Sequence, residues 1–207
     1  MLFIIKDIVI FVFMMKQLLY ILLAGCIFMN GGFGGGIGGR FGGGDTRCPS
    51  PEEVWSHAED PLRIIKKFNY SQFARNTLYY ELAYHDYTQK PACPNPTCIT
   101  STKTYNASEH RIYDSFRLKC VMHYYTVPLY FDETDINGYL MGNGWIPNII
   151  VDFDTNYEWV IEFQCLKYFK GINVYSRVMG NDSYLNDLYS LLRQYRLNYT
   201  MHKVECN

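Results

Sequence analysis

The sequence is short of charge, of long apolar runs and, over most of its length, of glycine. Its 19 Lys and Arg against 20 Asp and Glu leave a formal charge of −1 over 207 residues. That removes the basic footprint of a phosphate-backbone binder, so no nucleic-acid partner is expected. A bilayer-spanning helix needs roughly 20 consecutive apolar residues. Here Lys6, Asp7 and Lys16 break the apolar leader, and its longest run, Leu18 to Met29, is 12 residues. Ten of the 16 glycines lie between Gly31 and Gly44 and only five follow Asp45, so glycine belongs to one tract and not to the folded region. The five His are scattered, and no second ligand pair matches the spacing Cys93-x4-Cys98. No metal site is expected.

What is present divides the chain in three. Residues 1–29 have the charged start and short apolar core of a secretory signal peptide, with a possible translation start at Met15 just before Lys16. Left uncleaved, the same segment would hold the protein near a membrane. Leu23-Ala24-Gly25-Cys26 also has the form of a bacterial lipobox, over four residues only. Residues 30–47 form a Gly-rich linker. Gly34, Gly36 and Gly39 have dinucleotide-fingerprint spacing, but no strand precedes them and no helix follows, so no pyrophosphate loop is expected. Residues 48–207 form the folded domain. Its six cysteines, Cys48, Cys93, Cys98, Cys120, Cys165 and Cys206, read as three disulfides made in an oxidising compartment. Glycosylation sequons at Asn69, Asn106, Asn181 and Asn198 agree with an extracellular destination.

Ser50-Pro-Glu-Glu53 is a capping box with proline at the first helical position, predicting a short helix to about His57. Beyond Asn76 the pattern is of short strands rich in aromatic and β-branched residues, at 77–86, 97–105, 110–120, 121–126, 128–132, 145–154, 157–165, 171–178 and 198–206. Along Tyr157 to Cys165, Tyr157, Trp159, Ile161 and Phe163 alternate with mostly polar residues, the mark of one buried face. One helix, roughly Ser183 to Arg196, carries Leu185, Leu188, Leu192 and Tyr195 at helical spacing. The expected fold is all-β: an eight-stranded antiparallel barrel, one C-terminal α-helix packed outside it and a final short strand.

This order of elements resembles the lipocalins, and within them the lipocalin domain of violaxanthin de-epoxidase and the apolipoprotein D-like proteins. The resemblance is carried by Cys48-Pro49, by Leu78-Tyr-Tyr-Glu81 at the Gly-x-Trp-Tyr-Glu position, by Tyr157 to Cys165, by Tyr175-Ser-Arg177, and by Cys206 after the helix. It spans about 48–206. It departs from the family at Thr77 and Tyr79, which replace Gly and Trp, and at Val151-Asp152-Phe153, all that survives of the Thr-Asp-Tyr loop motif. The resemblance implies that Tyr79 and Arg177 close one barrel end by cation–π stacking, worth about 0.5–2 kcal/mol. It implies a Cys48–Cys165 bridge, and the apolipoprotein D-like spacing implies Cys98–Cys206 with Cys93–Cys120. A hairpin turning near Asn106 to Ser108 instead brings Cys98 within a few residues of Cys120, which favours Cys98–Cys120 with Cys93–Cys206.

The functional expectation is a secreted carrier of a small hydrophobic molecule (lipid, retinoid or carotenoid), with Tyr79, Glu81, Tyr157, Trp159, Ile161 and Phe163 lining the barrel and no cofactor. The resemblance implies an alternative, an oxidoreductase that reduces an epoxidised carotenoid with ascorbate as co-substrate. Its acid–base candidates are Glu81, His85 and Asp86. A non-enzymatic extracellular protein-binding module is the third reading. The strand 77–86 has two competing phases. If Tyr79 faces inward, so do Glu81 and His85; hydrophobicity alone would bury Leu78, Tyr80, Leu82 and Tyr84.

Overall fold

A computed structural model describes residues 47–85, 93, 96–166, 169–179 and 182–206. The expected signal peptide, nearly all of the glycine linker, Asp86 and Asn181 lie outside the described residues. Contacts separate residues 1–44 from a unit comprising Asp45–Asn207, to which everything below refers. Three short helices come first: α1 (Pro51–Trp55), α2 (Arg63–Lys67) and α3 (Tyr70–Phe73). The capping box behaves as its chemistry requires, with the Ser50 hydroxyl accepting from the Glu53 amide. Helices α2 and α3 were not expected. Each is only four or five residues long, too short for its own periodicity to show.

Eight antiparallel strands follow, β1 (Arg75–His85), β2 (Thr97–Asn106), β3 (Arg111–Cys120), β4 (His123–Glu133), β5 (Tyr139–Gly142), β6 (Ile146–Phe153), β7 (Trp159–Leu166) and β8 (Phe169–Ser176), then helix α4 (Asp182–Gln194) and a two-residue β9 (His202–Lys203). Each strand pairs with the next, β8 pairs with β1, and β1 pairs with β2 through Arg75–Tyr80. The sheet therefore closes on itself, and β9 joins β1 outside the barrel at Ala83 and Tyr84. The two strands expected at 121–126 and 128–132 are one: Pro128 sits opposite Ser115 within β4 without breaking it. Strand β5 was not expected, and the last strand is far shorter than 198–206.

Helix α4 packs as expected, with Leu185, Leu188, Leu192 and Tyr195 in the same buried cluster as Ile161, Phe163, Ile172 and Val174. Disulfides join Cys48–Cys165, Cys93–Cys120 and Cys98–Cys206, the pairing that the resemblance implies. The alternative Cys98–Cys120 does not form. An irregularity between Thr97 and Thr100 turns Cys98 out of the β2–β3 ladder, and its amide donates to the Glu205 carbonyl of the C-terminal segment.

The Cys48–Cys165 bridge closes 117 residues of sequence, and loops of that size lose much entropy when cross-linked. Replacing both cysteines with Ser should lower the unfolding free energy by about 2–5 kcal/mol in urea titrations. No measurable loss would mean that the N-terminal segment docks through its apolar contacts alone.

Candidate functional site

The barrel interior is organised around one cation. Lys103 on β2 is buried, with 1% of its side chain exposed, and its Nζ lies 2.8 Å from Asp114 Oδ2 on β3 and 3.3 Å from Glu162 Oε1 on β7. Strands β2 and β7 are not neighbours in the sheet, so this contact crosses the lumen and fixes which face of each strand points inward. The ammonium also lies 4.9 to 5.6 Å from the ring centroids of Phe73, Phe131 and Tyr175. The Ser101 hydroxyl donates to Asp114 Oδ1 at 2.8 Å, and Asn148 Nδ2 donates to Glu162 Oε2 at 3.4 Å. Beside them Asn173, which pairs with Glu162 across β7–β8, donates to Glu81 Oε1 at 2.6 Å. A polar belt thus crosses the lumen at mid-height.

Above and below the belt the interior is apolar. At the closed end Phe68, Phe73, Phe153 and Tyr157 form a plug of edge-on and stacked rings. The Tyr79 hydroxyl donates to the Phe73 carbonyl at 3.0 Å. Arg177 lies 6.0 Å from the centre of the Tyr79 ring, the outer limit of a useful cation–π contact. Burial pushes the Tyr79 phenol up to about 12, against the lowering effect of Arg177. At the other end a second cluster gathers Tyr84, Cys93, Ile99, Phe116 and Leu118.

The residues expected to line the barrel divide three ways. Tyr79 and Glu81 face the lumen and Tyr157 belongs to the end plug. Trp159, Ile161 and Phe163 lie on the outer face of β7: they alternate with Glu162, and Phe163 reaches the Tyr199 ring of the C-terminal segment. The period-two pattern is real, but its apolar face is the one covered by α4. Its polar face enters the barrel, because Lys103 neutralises Glu162 there. The phase conflict in β1 resolves through a bulge between Glu81 and Ala83. Tyr79 and Glu81 face inward before it and Tyr84 after it. His85 therefore points outward, with Nδ1 against the Thr200 carbonyl and its ring 4.8 Å from Tyr199. Glu81 and His85 are not brought together.

Lys103, Asp114 and Asn148 were not singled out from the sequence. A lone Lys or Asp in a strand reads as a solvated face, and the three charged partners are separated by 11 and 48 positions. The available signal was weak: a Lys and an Asp on inward phase in adjacent strands. Of the sequons, Asn69 caps α3 and is exposed, Asn106 is half-buried at the end of β2, and Asn198 is exposed.

Burial alone would pull the Lys103 ammonium down, but the Asp114 and Glu162 charges outweigh it and raise it above the ordinary lysine value. Burial raises the Glu162 carboxyl above its ordinary 4.5, against the attraction of Lys103 and with the help of Asp114. The folded barrel thus holds this proton more tightly than the unfolded chain does. That contribution to stability is complete below 4.5 and is lost as pH rises through the folded value.

Two comparisons with known proteins, one against family models and one against curated sequences, give no match. Among solved structures the fold is similar to the siderocalin Ex-FABP, a protein described as functioning through dual ligand specificities. The likeness has a TM-score of 0.53 at 14% identity and covers 66% of this chain and 96% of that one. It establishes a lipocalin-like fold.

Two substitutions test the belt. Lys103→Met should cost about 3–5 kcal/mol near neutral pH, because it strands buried carboxylates, and the deficit should shrink in acid as they take up protons. Glu162→Gln should flatten the fall in Tm above pH 4.5. Both are read by thermal and urea unfolding across pH.

Proposed function

We propose that this lipocalin-like barrel is a secreted carrier that takes a small apolar molecule through the end opposite the ring plug. The observation that carries the reading is a gap in the wall. Strand β5 has four residues and pairs only with Phe131–Glu133 of β4. Asn143 bonds Tyr130 beyond it. From His123 to Leu129 the edge of β4 has no strand partner among the described residues, although its other edge pairs with β3 throughout. On the inward face of that hairpin, Phe116 lies opposite Val127 and Leu118 opposite Tyr125. Phe116 and Leu118 are buried, while Val127 and Tyr125 are 40% and 48% exposed.

Water-exposed apolar surface of this extent is costly unless something covers it, at about 25 cal/mol per Å². Trp145, in the β5–β6 turn, and Val121 and Met122 at the β3–β4 tip are exposed as well. Val121 takes a φ of 56°, a left-handed conformation that β-branched residues avoid. Three disulfides support an oxidising, extracellular setting.

A second reading, reduction of an epoxidised carotenoid or related lipid with ascorbate as in violaxanthin de-epoxidase, is favoured by one observation. Glu162 is an interior carboxyl with raised proton affinity, the property a general acid needs. An ascorbate-dependent spectral change of a carotenoid epoxide, lost in Glu162→Gln, would establish it.

For the carrier, retinol should bind with quenching of Trp145 fluorescence, and Val127→Asp should weaken binding by about tenfold or more, since it places a charge in the apolar mouth. Trp145→Phe should remove most of the quenching. Retinol binding that is absent, or indifferent to Val127→Asp, would overturn the mouth as the binding region.

A further inference from the structure

The charges inside the barrel do not balance. Asp114 and Glu162 are both buried there and share Lys103, the only buried Lys or Arg among the described residues. Asp114 is well served, by Ser101 on one oxygen and Lys103 on the other, each at 2.8 Å. Glu162 is less well held. Lys103 stands 3.3 Å from Oε1, and Oε2 receives only the long 3.4 Å bond from Asn148. Asn148 is completely buried, and its Oδ1 has no hydrogen-bond partner among the described residues. Native proteins seldom leave a buried carbonyl oxygen unsatisfied without a functional reason.

On adjacent strands, Glu162 Oε2 thus has one long bond and Asn148 Oδ1 has no donor among the described residues. Asn148 pairs with Gln164 one row nearer the open end, and Gln164 is only half-buried. The apolar pair Phe116 and Val127 lies one row beyond Asp114 in the same direction. A chain seated on the mouth would thus point its head at the belt. The sign of the field selects that head. A carboxylate would meet Asp114 and Glu162 sharing one ammonium, and like charges in a site of low dielectric repel strongly. A neutral hydroxyl supplies one donor, an ammonium three and a positive charge.

We propose that Glu162 and Asn148 form a head-group site for a primary ammonium, so that the barrel takes long-chain amines in preference to alcohols and acids of the same length. The inference rests on the reading of the mouth as an apolar-chain site and adds the identity of the head. It also carries a proton consequence. Near neutral pH an arriving ammonium displaces whatever proton Glu162 holds, because only the carboxylate form gains from the new charge.

The test is calorimetric titration of the protein with dodecylamine and dodecanoate below their critical micelle concentrations and with 1-dodecanol below its solubility limit. Dodecylamine should bind about tenfold or more tighter than 1-dodecanol, and dodecanoate weakest. In Glu162→Gln the amine-to-alcohol affinity ratio should fall towards one, and Asn148→Leu should lower it too. Titrations in two buffers of different ionisation enthalpy should show proton release on amine binding in the native protein and none in Glu162→Gln. Equal affinity for amine and alcohol would overturn the head-group site while leaving the apolar mouth standing. Binding of none of the three would overturn both. A ratio unaltered in Glu162→Gln would overturn the assignment to that residue. The native-protein comparison stands even if a variant fails to fold.

Discussion

The contact between Lys103 and Glu162 spans the lumen and settles the facing of the strands. A buried ammonium without partners is untenable, since the effective cost of taking an ion out of water is several kcal/mol. Asp114, on the adjacent strand, answers the larger part of that cost, and Glu162, reaching from the far wall, adds to it. Once Glu162 faces inward, period-two alternation sends Ile161 and Phe163 outward, where they would be left wet. Helix α4 and the C-terminal segment cover them, and the Tyr195 hydroxyl fastens the helix by donating to Asp152 on β6 at 2.9 Å. The outer helix is thus a consequence of the inner ion pair.

The two barrel ends follow opposite strategies. One is plugged by aromatic rings contributed by α3, by the segment before it, by the end of β6 and by the β7 approach, with Trp55 anchored to the Ile150 carbonyl at 2.8 Å and Arg63 ion-paired to Asp152. The other is left incomplete because β5 is short, so the wall beside β4 lacks a strand. Between the two ends lies the polar belt, where Asn148 Oδ1 has no hydrogen-bond partner among the described residues. On the proposed reading an apolar chain would bind by area and the belt would discriminate by sign of charge.

Much of this could be read locally. The capping box before α1, the alternation in β7, the helical spacing of Leu185, Leu188 and Leu192, and the overall count of strands are patterns within ten or so residues, and they recur in the structure. The facing of β7 could not be read that way. A hydrophobic face says that something covers it, and both a lumen and an outer helix qualify. The bulge after Glu81 was hidden for a related reason: each of two competing phases in β1 is correct over half the strand, and one extra residue joins them. Residues 103, 114 and 162 are joined only by closure of the sheet, which no spacing rule encodes. Strand β5 and helices α2 and α3 are too short to carry a period at all.

The protonation and burial of Lys103 are most directly observed by nitrogen-15 NMR of its side chain. An ammonium held between two carboxylates in a closed barrel should give a distinct Nζ resonance whose hydrogens exchange slowly with water, and it should remain charged beyond the pH at which surface lysines titrate. A Lys103 signal that exchanges as fast as the surface lysines and loses its proton with them would contradict the account, because the strand facing, the belt and the proposed head-group site all depend on that cation.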